Sequence, residues 1–140
     1  MTQASVQQTG IGQALPGFTT PPISRLDLAL YCGASADHNP IHVDIDFARA
    51  SGMEDVFAHG MLSMAWLGRV LTDWVPQRQL RSFQVRFVAV TQLKDCIRCE
   101  ATVREVFEED GERRARLDLR TLDQQGQVKL QGEAVVALAA

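Results

Sequence analysis

From His59 to Pro76 the chain is apolar on nearly every face, through Met61, Leu62, Met64, Ala65, Trp66, Leu67, Val70, Leu71, Trp74 and Val75, and Arg69, Thr72 and Asp73 give it only a narrow polar edge. A helix apolar almost all round belongs inside a protein, not on its surface. At this length it is too short to span a bilayer, and Pro76 stops it. A buried helix needs a broad layer to cover it, and the second half of the chain supplies one. Phe83, Val85, Phe87 and Ala89 alternate with Gln84 and Arg86. Ile97, Cys99, Ala101 and Val103 alternate with Arg98, Glu100, Thr102 and Arg104. Ala115, Leu117, Leu119 and Thr121 alternate with Arg114, Arg116, Asp118 and Arg120, and Leu130, Gly132, Ala134, Val136 and Leu138 close the chain. Asp110-Gly111 and Gln125-Gly126 mark hairpin turns between the later runs. Half-polar strands joined by hairpins read as an antiparallel sheet with one face on the core. The fold class is therefore α+β, a curved antiparallel sheet wrapped around a buried central helix. At 140 residues it is one domain.

The first half prepares a loop. Residues 1–14 are polar and glycine-containing and are expected to form a mobile tail, with the domain proper over 15–140. Pro16 to Ile23 reads as extended, with a short edge strand. Ser24 is an N-cap, and Leu26, Ala29, Leu30 and Gly33 follow at helical spacing, with Asp27 in the first turn. That helix delivers the chain into Ser35-Ala-Asp-His-Asn-Pro-Ile-His-Val-Asp-Ile-Asp46, which holds two of the three histidines. Asn39 before Pro40 is driven out of the helical region, so Asp37 and His42 lie on a tight turn that can bring their side chains together. An acid and an imidazole converging on one small site can hold a water and pass protons. Asp44 is positioned to cap a short helix through Phe47, Ala48 and Ala50, stopped by Gly52.

Composition excludes several classes. A net charge of −3 and the lack of a basic tract give no footprint for nucleic acid. No apolar run reaches transmembrane length, and Met1 to Gln13 lacks the pattern of a secretion signal. Three cysteines, an odd number, fit a reducing cytoplasm better than a disulfide framework. Cys96 and Cys99 have knuckle-like spacing, but on a strand residues three apart face opposite sides, and Cys99 falls in the inward register. The arginines of 98–120 read mainly as a solvated sheet face.

The loop and the His59-Gly60-Met61 triplet that opens the central helix together resemble the MaoC-like (R)-specific enoyl-thioester hydratases and dehydratases, which have a hotdog fold. The family pattern is roughly Ser-Gly-Asp, any residue, Asn-Pro, an aliphatic, His, any residue, Asp. The similarity runs from about Leu15 to Ala137, and the chain's size and both motifs are similar to those of catalytic subunits of mycobacterial-type (3R)-hydroxyacyl-carrier-protein dehydratases. The resemblance implies a hydro-lyase for trans-2-enoyl thioesters of coenzyme A or acyl-carrier protein, with no metal or redox cofactor. It implies that Asp37 and His42 hold the reacting water, that the Gly60 N–H at the positive end of the helix forms the oxyanion hole, and that Asn39 positions the loop. His59, Leu62 and Trp66 are candidates to border the substrate, with Leu62 and Trp66 reading first as core residues and His59 first as a packing or hydrogen-bonding residue at the helix start. Two positions depart from the family. Ala36 stands where glycine is usual, and Gly68 where some relatives carry a polar residue.

Simpler roles account for the remaining polar groups of the loop: Asp44 as a cap, Asp46 as a first-turn dipole partner and His38 as a solvated side chain. A metal set drawn from Asp37, His38, His42, Asp44 and Asp46 matches no zinc spacing. Competing readings are a hotdog thioesterase, in which a carboxylate drives attack at the carbonyl rather than at C3, and a non-catalytic acyl-thioester-binding hotdog or one subunit of a heterodimeric dehydratase. An exposed sheet edge and a tunnel best formed between two subunits predict a homodimer.

Overall fold

The computed structural model describes residues 9–138. Its five strands are β1 (Phe18–Thr19), β2 (Leu80–Phe87), β3 (Arg98–Glu109), β4 (Glu112–Leu122) and β5 (Val128–Ala137). They form one sheet in the order β1-β3-β4-β5-β2, antiparallel throughout and curved. Three helices accompany it: α1 (Arg25–Ser35), α2 (Ile45–Ala50) and α3 (Gly60–Thr72). The α3 helix packs on β2, β3 and β4, giving the expected hotdog arrangement. Leu62, Leu67, Val70 and Leu71 meet Cys99, Ala101, Val103, Leu117, Leu119, Ala134 and Val136 in one core.

The period-two pattern places the inward residues of β3, β4 and β5 as expected, and burial pushes the Cys99 thiol up to about 12. Asp110 and Gly111 both adopt positive φ (54° and 74°), the backbone of a tight hairpin turn whose twist matches the strands it joins. At its base Arg114 is enclosed by Glu109, Asp110 and Glu112.

Three local expectations change. Residues 9–14 are not loose: Gly12 N–H donates to the Val103 carbonyl, Val103 N–H to that of Gln13, and Leu15 N–H to that of Ala101. The chain is therefore tied to β3 before Leu15, and residues 1–8 of the expected mobile tail lie outside the described residues. On α1, Leu26, Ala29, Leu30 and Gly33 are exposed, and the buried stripe is Leu28, Tyr31 and Cys32. Alternate apolar residues 26, 28 and 30 fit two helix phases, and contact with the core selects the phase that buries Leu28. Finally, α3 ends at Thr72. Trp74 and Val75 stay buried in the turn that follows, so their apolar character reports burial and not helix. Met61 and Ala65 leave one side of α3 open.

Candidate active site

The loop is built from local hydrogen bonds. Ser24 and Asp27 form a capping box at the start of α1, which holds the Asp27 carboxyl below its ordinary range through the Ser24 hydroxyl and N–H. At the other end Ala36 turns left-handed (φ 59°, ψ 15°) and terminates α1. The Ser35 hydroxyl donates to the Tyr31 carbonyl at 2.7 Å and accepts the Asp37 N–H at 3.2 Å, fastening the loop to the helix end. Asn39 is extended (φ −60°, ψ 120°), as Pro40 demands, and its side-chain oxygen accepts the Ile41 N–H at 3.1 Å. Its own N–H reaches the Asp37 carboxylate at 3.3 Å. A single 3₁₀ turn, Pro40–His42, then swings His42 inward, where it is buried. Asp44 caps α2 by accepting the Asp46 and Phe47 N–H groups.

Longer-range contacts fix the imidazoles. His42 Nδ1 donates to the Phe57 carbonyl at 2.8 Å. A carbonyl only accepts, so in neutral His42 the other nitrogen, Nε2, carries the lone pair. His59, 1% exposed, donates from Nε2 to the Asp37 carbonyl at 3.2 Å. The two rings stack, with centroids 3.9 Å apart and planes at 29°. Tyr31 meets His59 edge-on at 5.0 Å, and burial together with the Asp37 charge raises the tyrosine's pKa. Burial lowers that of His59, the proximity of His42 adding to the effect. Phe57 is held in turn by its bridge to Gln92 and by Ala58 N–H donating to Thr91. That supporting segment is anchored by Lys129, whose buried ammonium donates to the Val90 carbonyl at 3.1 Å and lies 3.0 Å from Asp123 and 3.5 Å from Asp95.

One donor atom each from Asp37, His42 and His59 lies within 4.8 Å of the others. The set is a poor metal cage. Stacking at 3.9 Å with planes at 29° sets the two rings' lone pairs side by side, whereas a tetrahedral ion needs them to converge. The arrangement suits a small hydrogen-bonded molecule between the exposed Asp37 carboxylate and His42 Nε2.

Gly60 is the first residue of α3, and His59 at the N-cap gives the first turn no side-chain hydrogen bond. The Leu62 N–H turns back to the His59 carbonyl at 3.1 Å, and no side chain caps the Gly60 N–H at the positive end of the helix. A Cβ on Gly60 would lie 2.7 Å from the Phe87 ring, so that ring covers the glycine closely. Of the side chains expected to border substrate, Leu62 is in the core and His59 is buried behind the pair. Trp66 is half-buried and lines a cleft of about 400 Å³ with Phe18, Pro21 and Arg69. None of the three faces the Asp37–His42 opening as an exposed wall. His38 is exposed. Tyr31, Phe57 and Ser63, all at the site, carry no sequence signal of their own, because their partners are made by folding.

This fold and loop have counterparts. A family profile described as "MaoC like domain" matches residues 6–122. The chain belongs to the MaoC-like family. It is 31% identical over 120 residues to an (R)-specific enoyl-CoA hydratase of Rhodospirillum rubrum, spanning 84% of this chain and 81% of that protein. Its structure is similar to that of the R-hydratase PhaJ1 from Pseudomonas aeruginosa (TM-score 0.80, 28% identity, 96% of this chain and 84% of the other). It is also similar to an (R)-hydratase from A. caviae involved in PHA biosynthesis (TM-score 0.83, 25% identity, 95% and 99% covered). Within this MaoC-like domain the signature loop and the start of α3 meet in space, which their separation of some 20 residues in the chain does not require.

Proposed function

We propose that this MaoC-like protein catalyses the reversible addition of water to a trans-2-enoyl thioester, giving the (R)-3-hydroxyacyl thioester, with coenzyme A or a carrier protein as the thiol. The observation that carries this reading is the Asp37–His42 pair, in which Nδ1 of His42 is engaged by Phe57 and Nε2 is left to accept. Two acceptors on one side, the carboxylate and Nε2, hold a water by both its protons and leave an oxygen lone pair for C3. As the oxygen attacks, the C2–C3 π electrons move toward the thioester, whose carbonyl oxygen gathers charge. The Gly60 N–H and the positive end of α3 stabilise that charge. The proton leaving the water enters the pair, and the pair returns a proton to C2 on the same face of the former double bond. Proton transfer of this kind contributes about 10²–10⁴ in rate. Asn39 positions the carboxylate through its N–H and holds the turn.

Loss of enoyl absorbance with crotonyl-coenzyme A, followed by chiral analysis of the product, tests the reading. The expected result is the (R)-3-hydroxy product, with Asp37→Asn and His42→Ala each losing at least about 10²-fold in kcat, and with Asp37→Asn, whose side chain is exposed, keeping the parent melting temperature. Near-normal turnover in either variant would remove the pair from the mechanism. Release of free thiol without hydration would make the protein a thioesterase instead.

A further inference from the structure

Among the described residues two fully buried side-chain atoms lack a hydrogen-bond partner, His59 Nδ1 and Ser63 Oγ. Ser63 is 0% exposed and His59 1%. They stand four positions apart, on one face of the first turn of α3. Native interiors seldom leave such groups unmatched, and these two are complementary. The Asp37 carbonyl can only accept, so His59 Nε2 carries the proton it donates there. In the neutral ring, Nδ1 is then an acceptor without a donor. The Ser63 hydroxyl has a proton and nothing to give it to.

We propose that one buried water bridges Ser63 Oγ and His59 Nδ1, holding at one angle the His59 ring whose tautomer the Asp37 carbonyl sets, and making Ser63 and His59 positioning residues for the Asp37–His42 pair. The line runs from the Ser63 hydroxyl through the water to Nδ1, across the ring to Nε2–H, and on to the Asp37 carbonyl. The same ring is the platform on which His42 stacks at 3.9 Å. With the opposite tautomer, Nε2 would present its lone pair to the Asp37 carbonyl, and the loop would lose the tie that sets the carboxylate against His42. Water suits the role because it can accept from the Ser63 hydroxyl and donate to Nδ1, the two polar partners a buried water needs. The kinetic part of this proposal rests on the hydratase reading above, and the tautomer part does not.

The test uses the full chain with ¹⁵N-labelled histidine. A long-range ¹H–¹⁵N spectrum should show His59 as the Nε2–H tautomer throughout, with the unprotonated Nδ1 resonance moved upfield by an accepted hydrogen bond in the parent and in Ser63→Thr relative to Ser63→Ala; the same Nδ1 shift in all three would overturn the bridge. In parallel, Ser63→Ala should lose roughly tenfold in kcat with KM little changed, as expected when a reacting pair is slightly misplaced, and Ser63→Thr should restore it. An Nδ1–H tautomer or an imidazolium in the parent at neutral pH would overturn the relay, whatever the variants do. A changed Nδ1 shift with unchanged kcat would overturn the positioning role. If the parent shows no hydratase activity, the functional reading fails and the spectrum still decides the relay.

Discussion

Ala36 is a local cost at the edge of the site. It ends α1 at φ 59°, a region in which a Cβ is crowded and glycine is at ease. Ala36→Gly should stabilise the fold by about 0.5–1 kcal/mol, visible as a higher urea midpoint at unchanged m-value. His59 yields a pH prediction. Burial lowers its folded-state pKa from the ordinary 6.5. Below that value the unfolded chain binds a proton that the folded chain resists, so the unfolded state is the one favoured by acid. The contribution of His59 is complete above 6.5 and declines as pH falls through and below it. Melting temperature should therefore drop between about pH 7.5 and 5.5, and less steeply in His59→Gln. The reactive residues Asp37, His42 and Asn39 were legible because turn chemistry is local: an Asx turn and a pre-proline residue need no distant partner. The Phe57 carbonyl and the His59–Asp37 tie join residues 15 and 22 apart, and no spacing rule reports those.

At the level of elements, alternation identifies strands wherever one face is buried, and that held for β3, β4 and β5. It says nothing about Lys129, which by alternation belongs to the outer face. Its side chain is 4% exposed because Asp95 and Asp123 receive the ammonium. The Asp123 carboxyl, which burial alone would raise, is brought below its ordinary value by Lys129 and by the N–H groups of Gln127 and Gln125. This clamp joins the start of β5 to the segment before β3, and that segment supports Phe57 and Ala58. Lys129→Met leaves two carboxylates buried without a counter-ion, and should cost about 3–5 kcal/mol in a denaturant titration. Gly132 is a second constraint that only the folded sheet reveals. A Cβ there would lie 2.0 Å from the Gln84 carbonyl and 2.7 Å from the Val85 Cα, both backbone atoms of β2. Gly132→Ala must push β2 off β5 and should unfold the edge of the sheet, with a larger loss of stability than Gly60→Ala. At Gly60 the obstacle is a side chain, the Phe87 ring, which can shift where strand backbone cannot. Gly60→Ala should accordingly spare the melting temperature and lower turnover by crowding the N–H that faces the thioester.

A single copy of the chain leaves a specific problem at the scale of the whole molecule. The sheet has two edges. One is β1, two residues long and too short to template anything. The other is β2, eight residues long, with its far side unpaired among the described residues. Long free edges invite another strand, and this one is bordered by exposed apolar side chains, Phe87, Val88 and Val90, with Met61 of α3 52% exposed nearby in the chain from Gly60. A cleft of about 940 Å³ is lined by Ile23, Met53 and Leu93 among others, but not by Asp37, His42 or Gly60, so it offers no acyl channel to the reactive pair. A second copy meeting β2 edge to edge would pair the free strand, cover these side chains and wall the approach to Gly60 and Phe87 in one step. The expected particle in light scattering is a dimer of the 15.5 kDa chain. Val88→Glu, outside the reactive loop and α3, should put a charge into the apolar patch that a second copy would cover, and yield a folded monomer with hydration lost. A wild-type monomer at micromolar concentration that still hydrates crotonyl-coenzyme A would show that one copy completes the site alone. An inactive wild-type monomer would point to a different hotdog subunit as the missing edge, and titrating candidate partners against activity would then identify it.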